Sequence, residues 1–298
     1  MAYLHPLAYL LGLEGHALLR AFAGDFADQA FVGARFAEIR RLLDDVTLAG
    51  AAAEVDVIDS SQGYAIWSRT YDEPGNGAFP LEEPFVRRIL DQLPACRVLD
   101  AACGTGRYAR YLADRGHDVL AVDSSEEMLA LARRAAPAAD CRIGSLEALP
   151  VEDASVDAVV CALALTHVRD LEPVMREFAR VLRPDGHLVV SNMHASTMLF
   201  GSIPRVLANN GRRARIASYR HETGDYFRAA AKAGLRAITC DEPTLPLPQA
   251  MPQPADGAAP DPGDWRDWPW TLDPIVPQAA WAAHVGRPAT VIWRFQRT

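Results

Sequence analysis

The sequence predicts an α/β protein built on a mostly parallel seven-stranded sheet with helices on both faces, preceded by a helical extension and carrying an insertion near its C-terminus. Three observations predict it. Short apolar runs alternate with helical segments long enough to cross over between parallel strands. The first of these runs closes on a carboxylate followed by a Gly-x-Gly turn. A chain of 298 residues, 50% of them hydrophobic, can bury one sizeable core with additions but not several independent domains.

Over 4–20 and again over 28–43 apolar residues recur at helical spacing, and in the second segment Phe31, Phe36, Ile39, Leu42 and Leu43 read as one buried stripe. Residues 49–59 commit to no element. The cluster Pro74, Gly75, Asn76 and Gly77 reads as an irregular loop, so an extension over 1–78 precedes a domain over 79–298. A helix over 84–93 leads into strands at 97–101, 118–123, 141–143, 157–162 and 187–192. The helix after the second strand starts at a capping box of Ser124 and Glu127. The helix after the fourth presents Leu171, Val174, Met175, Phe178, Val181 and Leu182 on one face and stops at Pro184, Asp185 and Gly186. A further helix over 224–233 closes at Gly234, and strands at 235–240 and 289–295 complete the sheet.

Composition excludes several classes of partner. A net charge of −8, a pI near 5.5 and the absence of any basic cluster argue against nucleic acid and anionic membrane. Five widely separated cysteines, with no zinc or dithiol spacing, read as free thiols of a reducing cytoplasm. The apolar stretch 7–19 lacks a basic lead-in and is interrupted by Glu14 and His16, so it reads as neither signal peptide nor membrane span. The acidic pairs Glu82 with Glu83, Glu126 with Glu127, and Glu152 with Asp153 read as solvated faces, and no metal is expected.

The chemistry concentrates in Val98-Leu-Asp-Ala-Ala-Cys-Gly-Thr-Gly-Arg-Tyr-Ala109 and Val119-Leu-Ala-Val-Asp123. One strand ends at Asp100, and a turn containing Gly104 and Gly106 lets a ligand approach the backbone where a helix begins. A second strand ends at Asp123, whose two oxygens can accept both hydroxyls of a ribose. Such a site holds an adenosine cofactor. Gly104-x-Gly106-x-x-Ala109 also fits the dinucleotide fingerprint, which keeps an NAD-dependent oxidoreductase as the alternative. Asp100 weighs against that alternative, because a carboxylate at the strand tip repels a pyrophosphate and suits a ligand carrying an ammonium and a sulfonium.

At these residues the sequence resembles the class I S-adenosylmethionine-dependent methyltransferases, in the small-molecule group called methyltransferase type 11, from about Tyr64 to Cys240. The resemblance implies a Rossmann-like fold with S-adenosyl-L-methionine as cofactor. It assigns Asp100, Ala102, Gly104 and Gly106 to the methionine part, Asp123 to the ribose, and Ser124 and Met128 to the adenine. Ser145 and Leu146 then border the adenine, with Ser145 standing where the family has an aspartate. Cys161, Ala162 and Leu163 line the cofactor, His167 lies near the acceptor, and Tyr64-x-x-Trp67-x-x-x-Tyr71-Asp72 folds over the cofactor. The turn Leu182-Arg-Pro-Asp-Gly-His187 matches the family as well. The implied activity is methyl transfer to an oxygen, nitrogen or carbon atom of a small molecule, in bacterial specialised metabolism. A non-catalytic protein that keeps the cofactor fold is a third reading.

Methyl transfer asks the enzyme mainly to align the acceptor and exclude water, and a base is needed only for a poorly ionised hydroxyl or phenol. His167 and His194 both stand just past the C-terminal ends of strands, where open α/β sheets bind ligands, and are the candidate bases; His221 ranks behind them. The proline-dense insertion over 241–288 carries Trp265, Trp268, Trp270 and Trp281, too many to leave exposed. It reads as an ordered segment packed on the domain, its aromatics either roofing the acceptor pocket or making a homodimer contact.

Overall fold

The computed structural model describes residues 1–26, 28–68, 70–71, 77–254 and 259–298. Asp72, and Pro74, Gly75 and Asn76 of the expected loop, lie outside the described residues. Along the chain come β1 (Ala2–Leu4), α1 (Pro6–Ala23), α2 (Gln29–Leu43), α3 (Val46–Ala49), β2 (Ala53–Ile58), α4 (Ser60–Trp67), α5 (Ala78–Leu90), β3 (Arg97–Ala101), α6 (Arg107–Ala113), β4 (Asp118–Asp123), α7 (Glu126–Ala135) and β5 (Asp140–Ile143). There follow β6 (Val156–Ala162), α8 (Leu171–Val181), β7 (Leu182–Met193), α9 (Ala195–Leu199), β8 (Arg205–Leu207), β9 (Arg213–Ile216), α10 (Thr223–Lys232), β10 (Leu235–Asp241), α11 (Pro277–His284) and β11 (Thr290–Arg297).

The chain divides into two compact units, and the division falls elsewhere than at residue 78. A sheet unit comprises Ile58–Met198, Ile216–Pro243 and Pro288–Thr298, and a helical unit comprises Met1–Val57, Leu199–Arg215 and Thr244–Arg287.

In the sheet unit the described strands run in the order β10-β11-β7-β6-β3-β4-β5. The strands from β7 to β5 are parallel, while β11 is antiparallel to both of its neighbours. The expected mostly parallel, doubly wound sheet is therefore the observed one. Alternate residues of each central strand enter different cores. Leu99, Leu120, Val159, Leu188 and Val291 join one cluster with Phe178 and Tyr226, whereas Val98, Val119, Val160, Val189 and Ile292 join the other with Leu90, Tyr108 and Leu129. That two-residue period, with both faces buried, is why these strands read as continuous apolar runs. The chain moves outward from β3 to β4 and β5, then returns to β6 on the other side of β3. The switch point of the topology thus lies at the C-terminal ends of β3 and β6.

Several local expectations need correction. The cap of α7 is Ser125, whose hydroxyl accepts the Met128 N–H at 3.3 Å and donates to Glu127, because Ser124 is spent on the turn that follows Asp123. Pro84 sits inside α5 rather than at its start. Glu82, expected on a solvated face, is fully buried. Its carboxylate accepts from Arg107 Nη1 at 3.0 Å, Tyr108 Oη at 2.8 Å and Ser191 Oγ at 2.6 Å, and these donors offset the cost of burying the charge.

In the helical unit, α1 begins with Pro6, where a missing N–H costs nothing, and α2 is capped by Asp28, which accepts the Phe31 N–H at 2.7 Å. The buried line of α2 is Phe31, Arg35 and Leu42, while Phe36 and Leu43 are exposed. Arg35 displaces them inward because Glu14 on α1, itself fully buried, receives its guanidinium at 3.2 Å. The tryptophans pack here. Trp265 and Trp268 are buried in one core with Leu10, Leu13, Leu42 and Leu272, Trp281 packs against it, and Trp270 is half exposed. The segment from Thr244 to Arg287 is therefore part of a second core shared with the N-terminal helices, not an appendage of the sheet. Residues 49–59, which the sequence left uncommitted, supply the end of α3 and all of β2, in a described sheet ordered β1-β2-β9-β8.

Candidate functional site

A cavity of about 310 Å³ opens at the switch point of the sheet unit. Of the residues singled out in the sequence, Tyr64, Tyr71, Ala102, Gly104, Asp123, Ser124, Met128, Ser145, Leu146, Ala162, Leu163 and His167 line it. Asp100, Gly106, Trp67, Cys161 and His194 do not.

The two strands that flank the switch point end alike. Ala102 after β3 and Leu163 after β6 both take left-handed backbone, with φ of 57° and 58°, a conformation non-glycine residues hold only where their surroundings enforce it. The Cys103 N–H bonds to the Val122 carbonyl at 3.0 Å and the Leu163 N–H to the Ser191 carbonyl at 2.9 Å, tying each turn to the adjacent strand. Gly104, at φ +54°, stands on the cavity wall, and a Cβ built on it meets no protein atom within 4 Å. Gly106 behaves differently. A Cβ there would come within 2.9 Å of the Ala132 Cα, so this glycine lets α6 approach α7 and does not face the cavity.

Asp123 accepts the Gly104 N–H at 2.8 Å on one oxygen and the Ser125 N–H at 2.9 Å on the other, which aims the carboxylate and leaves further lone pairs at the cavity. Burial raises its pKa and the backbone N–H groups lower it. Asp100 lies behind, 2% exposed, and its Oδ2 has no hydrogen-bond partner among the described residues. Burial pushes its carboxyl up to about 7, opposed by the charge of Arg107.

His167 sits on a single helical turn, Leu165–His167, after β6. Its Nδ1 is 2.8 Å from the Ala217 carbonyl, which can only accept, so Nδ1 carries the proton. The remaining nitrogen, Nε2, is then an acceptor, and the Tyr64 hydroxyl donates to it at 2.9 Å. Burial holds the imidazole below its ordinary pKa and the phenol well above its own. Tyr64, Trp67, Tyr71 and Phe79 continue as a ladder of rings 5.0–5.7 Å apart, in which Trp67 supports its neighbours from outside the cavity. His194 is occupied elsewhere. Its Nδ1 accepts the Ser196 N–H at 3.1 Å, and Nε2 lies 3.2 Å from Glu242. His221 Nε2 bonds to the Val168 carbonyl at 2.8 Å.

Sequence reasoning missed Asp59, Ser60, Ser61, Ala164 and Val168, all of which line the cavity, whereas Gly144 and Glu147 line it as part of the run 144–150 that the resemblance sets beside the adenine. Asp59 carried one legible signal, an N-cap just ahead of an aromatic helix; its side chain accepts the Gln62 N–H at 2.8 Å.

Residues 99–190 match the family model described as methyltransferase domain. The likeness is to a methyltransferase domain and covers these residues of the chain. Among curated relatives, the biotin biosynthesis bifunctional protein BioHC of Cellvibrio japonicus is 34% identical over 153 residues, 50% of this chain and 30% of that one. An uncharacterized methyltransferase of Mycobacterium bovis is 47% identical over 98 residues, 32% of this chain and 40% of that one. The chain thus spans well under half the length of these curated relatives. The crystal structure of an S-adenosylmethionine-dependent methyltransferase from Mesorhizobium loti shares the fold, with a TM-score of 0.51 at 22% identity over 73% of this chain and 98% of that one.

The cofactor of such a methyltransferase domain is S-adenosyl-L-methionine, and the residues present fit it. A buried carboxylate oxygen without a partner suits a cationic ligand, a glycine whose Cβ would enter open space suits close approach to the backbone, and Asp123 offers free lone pairs to a diol. Among the described residues no group of acidic, histidine or cysteine side chains is arranged to hold a metal ion, and no helix is long and apolar enough to cross a membrane.

Proposed function

We propose that the protein transfers a methyl group from S-adenosylmethionine to an oxygen, nitrogen or carbon atom of a small molecule. One observation carries the reading: Asp100, Gly104 and Asp123 stand together at the switch point, a carboxylate behind the turn and another beside it. A dinucleotide would bring its pyrophosphate to that same turn, against the Asp100 carboxylate behind it. Bound there, the cofactor supplies an activated methyl group whose leaving group is a neutral thioether. Asp123 takes the ribose, the charge of Asp100 acts on the cationic end from behind the turn, and Met128 and Leu146 border the adenine with Ser124 and Ser145. Tyr64 and Tyr71 close the cavity from the side of α4 and exclude water.

For a hydroxyl acceptor, Tyr64 and His167 form a relay. The tyrosine oxygen accepts the acceptor's proton while its own passes to His167 Nε2, and the Ala217 carbonyl keeps the imidazole in the tautomer that can receive it. The five cysteines stand as free thiols, which supports a reducing, cytoplasmic setting; specialised bacterial metabolism is the setting that the family resemblance supports.

Asp123→Ala tests the cofactor assignment. It weakens S-adenosylmethionine binding by about 1.5–3 kcal/mol, tenfold or more, in a calorimetric titration. Unchanged affinity removes the ribose role. The acidity of Asp100 adds a pH signature. The folded protein keeps this proton to a higher pH than the unfolded chain, so the group's contribution to ligand-free stability falls as pH rises from the ordinary carboxylate range towards about 7. A cation binds the ionised form. S-adenosylmethionine affinity therefore climbs between about pH 5.5 and 7.5, with proton release on binding below about 7, read from titrations in buffers of different ionisation enthalpy. A flat profile, or the same profile in Asp100→Asn, counts against it.

A further inference from the structure

In the helical unit, α1 is apolar on the side turned away from its core as well as on the side that builds it. The buried line is Pro6, Leu10, Leu13, Glu14, Ala17 and Ala21. At about 100° per residue, the opposite side carries Ala8, Gly12, Gly15, Leu19 and Phe22, spaced by four, three, four and three residues. Leu19 is 67% exposed and Phe22 93% exposed, Ala8 and Gly12 are exposed, and Gly15 is half-buried. The polar side chains of α1 lie elsewhere. Glu14 pairs with Arg35 in the core, the Tyr9 hydroxyl donates to Asp273 at 2.7 Å, and His16 meets the Phe200 ring edge-on. Arg20 bends to the carbonyls of Ala282 and Val285 at 2.7 and 2.8 Å. A surface helix ordinarily turns charged or polar residues to water, so an apolar outer stripe marks a face that another surface covers.

The two glycines are a separate observation. Glycine inside a helix costs stability relative to alanine, because the unfolded chain has more freedom to lose. Nothing within the chain asks for it at either position: a Cβ built on Gly12 or Gly15 meets no protein atom within 4 Å, and neither residue has left-handed backbone. Bare backbone on an outer face suits the close approach of another element. The order of sizes along the stripe says which element. From the N-terminal end it runs small, small, small, large, large, so a second copy of α1 laid antiparallel presents the complement. Phe22 of one copy then meets Ala8 of the other, Leu19 meets Gly12, and Gly15 meets Gly15 on the two-fold axis. A parallel pair would instead set Phe22 against Phe22 and leave the glycines facing across a gap. A membrane surface fits less well, since interfacial helices carry basic residues beside the apolar face, and the one arginine of α1 is spent on backbone carbonyls.

We propose that two copies of this chain associate through α1, crossing antiparallel at Gly15 in a two-fold symmetric contact with Leu19 and Phe22 of each copy seated over Gly12 and Ala8 of the other. The proposal stands independently of the methyl-transfer reading. The 18 residues of α1 extend about 27 Å, so the contact is smaller than a standard interface of about 1,600 Å² and a micromolar Kd is expected. Sedimentation equilibrium of the full 32.5 kDa chain reads it, with a dimer forming at a Kd of about 10 μM or tighter. Phe22→Glu and Gly15→Leu each weaken association about tenfold or more. Gly15→Leu separates this contact from a structural role: leucine is the better helix former, so the monomer melts at or above the parent temperature at about 1 μM while the dimer is lost. Should that variant fail to fold, Phe22→Glu carries the test, because its side chain is exposed in the monomer. Adding Ala8→Lys to Phe22→Glu restores association, since only antiparallel pairing brings those two positions together. The proposal is overturned if the parent chain is a monomer at about 100 μM, or if either folded variant associates as the parent does. It is also overturned if the double variant recovers nothing, or if the chain floats with phosphatidylcholine vesicles and Phe22→Glu abolishes that flotation, which assigns the face to a membrane.

Discussion

Gly104→Val leaves the protein folded and eliminates S-adenosylmethionine binding. The glycine occupies left-handed backbone at φ +54°, which costs a residue bearing a side chain about 1–2 kcal/mol and a β-branched one more. The neighbouring Ala102, at φ 57°, shows that this turn tolerates such a cost when the Cβ meets no obstacle. No protein atom lies within 4 Å of the Cβ position at Gly104, so valine does not break the core. Its methyl groups instead enter a cavity of about 310 Å³, where the ligand must come against the backbone. Calorimetry checks binding and thermal melting checks the fold. Retention of near-parent affinity in a folded variant would place the ligand elsewhere. Gly106→Val is the informative contrast, because its Cβ is directed at the Ala132 backbone and the expected loss is of stability.

His167→Ala lowers turnover of a hydroxyl acceptor by about 100-fold to 10,000-fold while cofactor affinity stays close to that of the parent. The imidazole presents a basic nitrogen to the Tyr64 hydroxyl at the cavity wall, and Ala217 fixes which atom that is. Tyr64→Phe removes the relay oxygen but spares the imidazole, so it loses part of the same rate. Because burial depresses the pKa of His167, the base stays neutral below the ordinary imidazole range, and the acid limb of kcat falls below about pH 6.5. Nitrogen-15 spectra add a readout that needs no acceptor, since they report the Nδ1–H tautomer directly. Full turnover in both variants across the pH range would leave alignment alone as the source of catalysis.

The strands and the cofactor turn were legible because both depend on neighbours in sequence. A strand buried on both faces must be apolar over most of its length, so β3 and β4 were read to their observed ends, with Asp100 and Asp123 at their tips and Gly104 in the turn that follows β3. The resemblance to a known family rests on the same local block. Positions whose meaning depends on a distant partner were read less well. Gly106 carries the same motif as Gly104, yet it serves helix packing because Ala132 crosses behind it. Ser124 and Ser125 are adjacent hydroxyls, and only the backbone direction after Asp123 decides which one caps α7.

The sequence by itself determined the sheet, the strand-tip carboxylates and the presence of an adenosine site, since hydrophobic period and turn chemistry are properties of short segments. Only the tertiary structure decided that Glu82 is a buried acceptor and not a solvated charge, that His167 and not His194 faces the cavity, and that Trp265 and Trp268 share a core with α1 and α2. An amphipathic pattern states that a face is buried but not what covers it. The covering partner here comes from as far along the chain as α11 is from α1, and no local rule of propensity or spacing reaches that distance.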